Sequence, residues 1–278
     1  MIHALSVDLE DWFHGDLLRG LVPQHERVPQ VREAVRPLID LFERAGVRAT
    51  FFTVGEVARD HPDLLRELAA AGHEIACHTM THPNLWRLTP DDLRDELEQY
   101  HEAIERAVPG VDVLGFRAPM FSIDRRTAWA LGVLRDGGFR YDSSVVPAWT
   151  PAYGVRGAPL DVYHASLRDP GRVDAEEGLL ELPLTACAFG PLRVPTAGGV
   201  YLRLYPFPLF RALLRRAART RPLVLYVHPW ETYTGTPRYP LAPWYKFGLY
   251  TNARHALGRL ERLLQEFSFA PVRDVLGV

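Results

Sequence analysis

Two imidazoles stand four residues apart in His78-Thr79-Met80-Thr81-His82, directly after a short apolar run at 74–77. On one face of a helical turn they can bind a single metal ion. With 11 histidines in the chain, this spacing also fits two unrelated rings. A second cluster, Asp8-Leu9-Glu10-Asp11, ends the apolar run at 2–7. Three carboxylates so close repel one another, and are tolerated on a solvated loop or around a cation. The Trp12-Phe13 that follows argues against a freely solvated loop. Two histidines and one carboxylate leave coordination positions open for water and substrate. That openness marks a catalytic metal, not a structural one.

Three further groups end apolar runs. Arg117, in Gly115-Phe116-Arg117-Ala118-Pro119-Met120, either pairs with a carboxylate or lies on the surface. Asp142, in Tyr141-Asp142-Ser143-Ser144, also fits an ordinary turn. His228, in Tyr226-Val227-His228-Pro229-Trp230-Glu231, is either a satisfied core residue or a proton donor near neutral pH. The two cysteines, Cys77 and Cys187, carry no nucleophile signature. No phosphate-cradling glycine loop and no serine elbow is present.

The elements that must position these groups alternate. Strands are expected at 2–7, 48–54, 74–77, 113–116, 139–141 and 223–227. Helices are expected at 31–45, 62–71, 89–107, 127–135 and, as the last, 254–267. Alternation implies a largely parallel sheet with helices outside, and at 278 residues a closed or nearly closed β/α barrel fits better than an open sheet. Each candidate group then sits at the C-terminal end of a strand, the mouth where such barrels build active sites. Residues 147–221, rich in Pro, Gly and Tyr, break the alternation and read as an elaboration on one domain spanning 1–278.

Composition narrows the function classes. Lys and Arg total 32 against 34 Asp and Glu, a net charge of −2. Nothing in that balance favours a nucleic acid or an anionic membrane as partner. Two distant cysteines exclude a disulfide scaffold and a cysteine-rich zinc site. No apolar run is long enough to span a bilayer, and Met1 leads straight into the first strand, so a cytoplasmic location is expected. No feature bears on oligomeric state.

In order along the chain stand Ser-Val-Asp-Leu-Glu-Asp-Trp-Phe, Ala-Thr-Phe-Phe-Thr-Val-Gly, Gly-His-Glu-Ile-Ala-Cys-His-Thr-Met-Thr-His, Phe-Arg-Ala-Pro, Tyr-Asp-Ser-Ser and Val-His-Pro-Trp-Glu. This set resembles the polysaccharide deacetylase family (carbohydrate esterase family 4, NodB homology). It looks most like the branch found in exopolysaccharide loci of bacteria with exosortase systems, and the likeness includes Gly198-Gly199-Val200-Tyr201-Leu202-Arg203. The resemblance implies a distorted (β/α)7 barrel and a divalent metal, zinc first, with cobalt, nickel or iron as alternatives. His78 and His82 match its metal histidines, Asp8 its catalytic base, and Arg117 the residue contacting that base. His228 matches its general acid, and Asp142 the carboxylate that orients this acid. The usual adjacent Asp-Asp is absent. An acid two residues after the base selects Glu10 as third ligand, with Asp11 as the alternative.

The implied reaction is hydrolysis of an N-acetyl group on an amino sugar, in a polysaccharide or its precursor. Met120 would lend a backbone N–H to the oxyanion, and Trp12, Trp230 or Tyr201 a ring-stacking wall. A metal-dependent amidase on a small cyclic imide or ureide is the rival enzyme reading. A non-catalytic carbohydrate-binding relative should have lost the base, a ligand or the acid, and candidates for all three are present.

Overall fold

Along β1 (His3–Leu9) the side chains alternate. Leu5, Val7 and Leu9 join the apolar layer beneath the helices, while Ala4 packs with Phe52, Ala76 and Tyr226 on the concave side. Ser6 and Asp8 share that concave side, because successive strand residues point to opposite faces. Asp8 therefore points inward at the strand's C-terminal end.

The computed structural model describes the backbone of all 278 residues and every side chain but those of Asp16, Leu17 and Trp244. The strands after β1 are β2 (Thr50–Thr53), β3 (Glu74–Cys77), β4 (Gly115–Phe116), β5 (Tyr141–Asp142), β6 (Tyr163–Ser166), β7 (Asp169–Val173), β8 (Leu179–Glu181), β9 (Ala186–Phe189), β10 (Leu192–Pro195), β11 (Val224–Val227) and β12 (Phe269–Ala270). Seven pair in parallel in the order β11-β1-β2-β3-β4-β5-β8. Among the described residues no ladder joins β8 to β11. Thr185 spans that seam instead: its hydroxyl donates to the Val224 carbonyl (3.0 Å) and accepts from the Val224 N–H (2.7 Å). The architecture is a distorted (β/α)7 barrel, as expected.

The crossover helices follow their sequence signals. Val31–Ala45 buries Val31, Val35, Leu38 and Phe42 and stops at Gly46, whose φ of +63° is left-handed. Pro90–Ala107 starts at a capping box between Thr89 and Asp92, a device worth about 1 kcal/mol.

Three features differ from the sequence reading. The seventh parallel strand, β8, lies inside 147–221, the stretch read as an elaboration; three residues after a run of Pro, Gly and acids leave no periodic signal. That stretch also supplies the antiparallel β6–β7 pair, the separate β9–β10 hairpin and the helices Gly199–Leu204 and Phe207–Ala217. Ala253–Glu266 is not the last helix. β12 pairs with the start of β1, and Val272–Leu276 follows. The Val272 and Arg273 N–H groups donate to Thr50 Oγ1 and Glu74 Oε2, covering the end of the barrel opposite the site. Among the described residues no helix is long and apolar enough to cross a membrane.

Candidate active site

Glu10, His78 and His82 bring ligand atoms within 4.8 Å of one another, all three buried. Strand β3 delivers His78, and β1 delivers Glu10. His78 to His82 is not a helical turn, as the spacing suggested. Thr79 and His82 have φ of +64° and +61°, strained values for residues with a Cβ. The Thr79 hydroxyl holds the turn, donating to the His78 carbonyl and accepting the His82 N–H (3.1 Å). The rings meet edge to face at 4.9 Å.

Backbone carbonyls set both tautomers. His78 Nδ1 lies 2.6 Å from the Arg117 carbonyl, and His82 Nδ1 lies 3.1 Å from the His14 carbonyl. A carbonyl only accepts, so each Nδ1 carries a proton, which leaves the Nε2 of each ring as the atom available to a metal beside Glu10. His82 Nε2 stands 2.7 Å from Glu10 Oε2, a buried oxygen with no hydrogen-bond donor. A buried carboxylate oxygen facing an imidazole nitrogen fits a shared cation, a proton or a metal ion, between them. Burial lowers the His78 pKa to about 4, against the opposing pull of Asp8 and Glu10. Burial opposes ionisation of Glu10, but His82, His228 and His78 hold it well below the usual carboxylate range.

Beside this cluster, Arg117 is fully buried at the concave face. Its guanidinium donates to Asp8 Oδ1 (2.6 Å), Ser6 Oγ (2.8 Å), the Ser143 carbonyl (2.9 Å) and Ser143 Oγ (3.0 Å), and lies 4.0 Å above the Phe52 ring. His228 completes the site from β11. Its Nε2 lies 3.8 Å from Asp8 Oδ2 and 3.6 Å from Glu10 Oε1. Burial would lower its pKa, but Glu231, Glu10 and Asp8 together raise it to about 9. The site thus sets a carboxylate side chain, Asp8, and an imidazole of raised pKa, His228, together beside the metal-ligand cluster.

Two expected site residues lie elsewhere. Asp11 lies outside the ligand cluster: Oδ1 accepts the Gln30 N–H (2.8 Å) and Oδ2 the Val31 N–H (3.3 Å), which fixes the start of helix Val31–Ala45. Asp142 does not orient His228. Its Oδ1 accepts from Ser144 Oγ (2.5 Å), and it pairs across the sheet with Glu181. Burial raises both carboxyls, Asp142 to about 6 and Glu181 well above its ordinary value. The partner of His228 Nδ1 is Glu231 Oε2, at 2.8 Å. Glu231 reaches back from the first turn of helix Pro229–Thr232 and also accepts the His228 N–H (3.1 Å). The Glu231 acid three residues after a histidine was the available signal, since that offset closes a capping box.

The site opens into a cavity of about 340 Å³ whose walls include Trp12, Leu18, Met120, Phe121, Trp230 and Leu249. Met120 has φ +56°. Trp12 and Trp230 stand on the wall as anticipated, but Tyr201 packs against Tyr205 instead.

Residues 26–141 match the polysaccharide deacetylase family profile, and residues 143–277 match a domain of unknown function (DUF3473). His78, His82 and Arg117 fall in the first match; Glu231 and His228 fall in the second; Asp8 and Glu10 precede both. A chitooligosaccharide deacetylase of Rhizobium leguminosarum bv. trifolii is 40% identical over 97 residues, 35% of this chain and 42% of that protein. The chain spans less than half the length of the curated relatives it matches. Among solved structures, a Mycobacterium smegmatis protein assigned to the polysaccharide deacetylases aligns with a TM-score of 0.64 at 22% identity, over 99% of this chain and 88% of that one. An allantoinase aligns with a TM-score of 0.60 at 17% identity, over 98% and 88%. At such identities both show the likeness of fold alone.

Proposed function

Because residues 26–141 match the polysaccharide deacetylase family, we propose that this chain hydrolyses the N-acetyl group of an amino sugar with the help of a divalent metal. The observation that carries this reading is the convergence of the His78 and His82 Nε2 atoms on Glu10, with Asp8 and His228 alongside. Glu10, His78 and His82 would hold the ion, and their nitrogen and oxygen donors suit zinc. When bound, the metal supplies Lewis-acid activation of water and of a carbonyl oxygen.

The chain's own residues do the rest. Asp8, anchored by Arg117, takes the proton of the attacking water. The Met120 N–H donates to the developing oxyanion, a contribution of about 3 kcal/mol for one such donor. His228 passes its Nε2 proton to the leaving nitrogen as the C–N bond breaks. Acetate and a free amino sugar result. Trp12 and Trp230, on the cavity wall, supply apolar surface for a pyranose. The natural substrate is read as an exopolysaccharide or its sugar precursor.

The test is acetate release from short N-acetylglucosamine oligomers by the zinc-loaded protein, beside a chelated control. Chelator-sensitive release is expected. No release with one ion bound per chain would overturn the assignment and favour a small cyclic imide or ureide.

A further inference from the structure

Arg203 is 1% exposed, so its guanidinium is shielded from solvent. Nη2 donates to Glu231 Oε1 (2.9 Å) and Nε lies 3.3 Å from the same oxygen. The remaining N–H groups go to three backbone carbonyls: Gly248 (2.9 Å), Leu249 (3.1 Å) and Thr251 (3.1 Å). The other oxygen of Glu231, Oε2, faces His228 Nδ1. One continuous line therefore runs from Arg203 through Glu231 to the imidazole.

The segment before Arg203 is cut to fit this line. A Cβ on Gly199 would overlap the Glu231 carboxylate. A Cβ on Gly198, at φ +92°, would run into the Tyr226 ring, which lies 5.6 Å from the His228 ring. Both glycines are thus required by close approach and not by turn geometry alone. From Gly199 the helix Gly199–Leu204 brings Arg203 one turn on, back over the same carboxylate.

We propose that Gly198–Arg203 is an orienting cradle for the general acid: Arg203 and Gly199 lock Glu231, and Glu231 aims the His228 ring at the leaving group. This rests on the deacetylase reading for the identity of the reaction, not for the geometry. Arg203 and Glu231 are positioning residues, since neither needs to touch substrate. A buried carboxylate without its cation is costly, so Arg203 holds Glu231 as the acceptor that keeps Nδ1 protonated. In the reaction, the Nε2 proton of His228 passes to the amine nitrogen while the C–N bond breaks. The ring is left neutral, its Nδ1–H still donated to Glu231. The same guanidinium fastens the C-terminal end of helix Pro243–Tyr250, whose Gly248 and Leu249 line the cavity. Acid and cavity wall thus share one anchor.

The experiment compares wild type, Glu231→Gln, Arg203→Met and Arg203→Lys, all zinc-loaded, on an N-acetylglucosamine oligomer and on 4-nitrophenyl acetate. An amide needs its leaving nitrogen protonated, whereas nitrophenolate leaves without a proton. Glu231→Gln should lower kcat on the amide about 100-fold with KM little changed, and the ester rate by less than about threefold. Arg203→Met should fall the same way, with Arg203→Lys recovering part of the loss. Imidazole ¹⁵N NMR should show a low-field Nδ1 proton on His228 in wild type that vanishes in Glu231→Gln. Equal loss on amide and ester, or an unchanged Nδ1 signal, would overturn the proposal. If Arg203→Met does not fold, the isosteric Glu231→Gln still decides. If wild type lacks amide turnover, the deacetylase reading falls and the NMR comparison alone judges the cradle.

Discussion

The Trp230 indole N–H donates to Glu10 Oε1 over 3.1 Å, joining the acid after β1 to the turn after β11, 220 residues away. The same indole stacks on the His228 ring at 4.9 Å and 23°. One side chain therefore fixes both the acidic ligand and the proton donor. Outer partners of this kind tune metal affinity by about 10- to 100-fold. Trp230→Phe keeps a ring to stack and removes the donor. Zinc affinity should drop by about tenfold or more, read by competition against a chromophoric chelator, with thermal stability little changed. Unchanged affinity would show that Glu10 is held without the indole.

Asp8 and His78 share one site but have separable duties. Asp8 accepts from the Arg117 guanidinium, which also donates to the Ser6 hydroxyl, and it lies outside the three-residue ligand cluster. Asp8→Asn should reduce acetate release by at least about 100-fold while metal content, measured by atomic emission, stays at the wild-type level. His78→Ala should instead empty the site. Metal loss in Asp8→Asn would move Asp8 into the ligand set, and a full site in His78→Ala would remove His78 from it.

Much of this site could be read from the chain because it follows strand ends. Asp8, His78, Arg117 and His228 each end or directly follow a short apolar run, and parallel pairing alone brings those ends to one mouth. What stayed hidden depends on which way a side chain turns after the strand has ended. Glu10 and Asp11 are neighbours, yet one faces the histidines and the other caps a helix 20 residues on. The carboxylate beside His228 was hidden in the same manner: the sequence pointed to Asp142, and the structure places Glu231 there. Asp142 sits at a strand end but is drawn to Glu181, a residue of the strand that gave no signal. Arg203 was visible only as part of a motif, since its contacts with Glu231 and the 248–251 carbonyls are tertiary.

Away from the site, two buried histidines make the fold sensitive to acid. His73 Nδ1 accepts the Ala49 N–H (3.1 Å) and His3 Nδ1 accepts the Leu223 N–H (3.2 Å), so both rings must stay neutral there. Burial first, with Arg48 near His73 and the N-terminal ammonium near His3, lowers each pKa from 6.5 to about 4. The unfolded chain then binds more protons between those values. The stabilisation is complete above pH 6.5 and is lost as pH falls toward 4. For His73 the loss should be on the order of 1–2 kcal/mol after allowance for partial solvent screening. Urea midpoints for wild type and His73→Gln at pH 7 and pH 4.5 isolate it, because other titrating groups cancel in the difference. A difference that does not change with pH would exclude a neutral, buried His73.

The Asp142–Glu181 pair should act with the opposite sign. The two carboxyls are fully buried at the ends of β5 and β8; Glu181 Oε1 accepts the Val145 N–H (2.9 Å), and Oε2 has no donor besides the pair itself. Burial, and for Glu181 also its neighbour's charge, raises both above their unfolded values. The folded state therefore retains a proton that the unfolded chain releases, and the pair's contribution is complete at low pH and fades as pH rises through the folded values. Gln at 181 can keep the Val145 contact through its oxygen and donate its amide to Asp142 with no proton to lose. Glu181→Gln should be neutral near pH 4 and stabilising at pH 8, by about 1 kcal/mol or roughly 2–4 °C in Tm. Thermal melts of both proteins at the two pH values measure it. A Glu181→Gln protein less stable than wild type at pH 8 would mean that the pair is ionised and compensated, with Arg117 as the available cation.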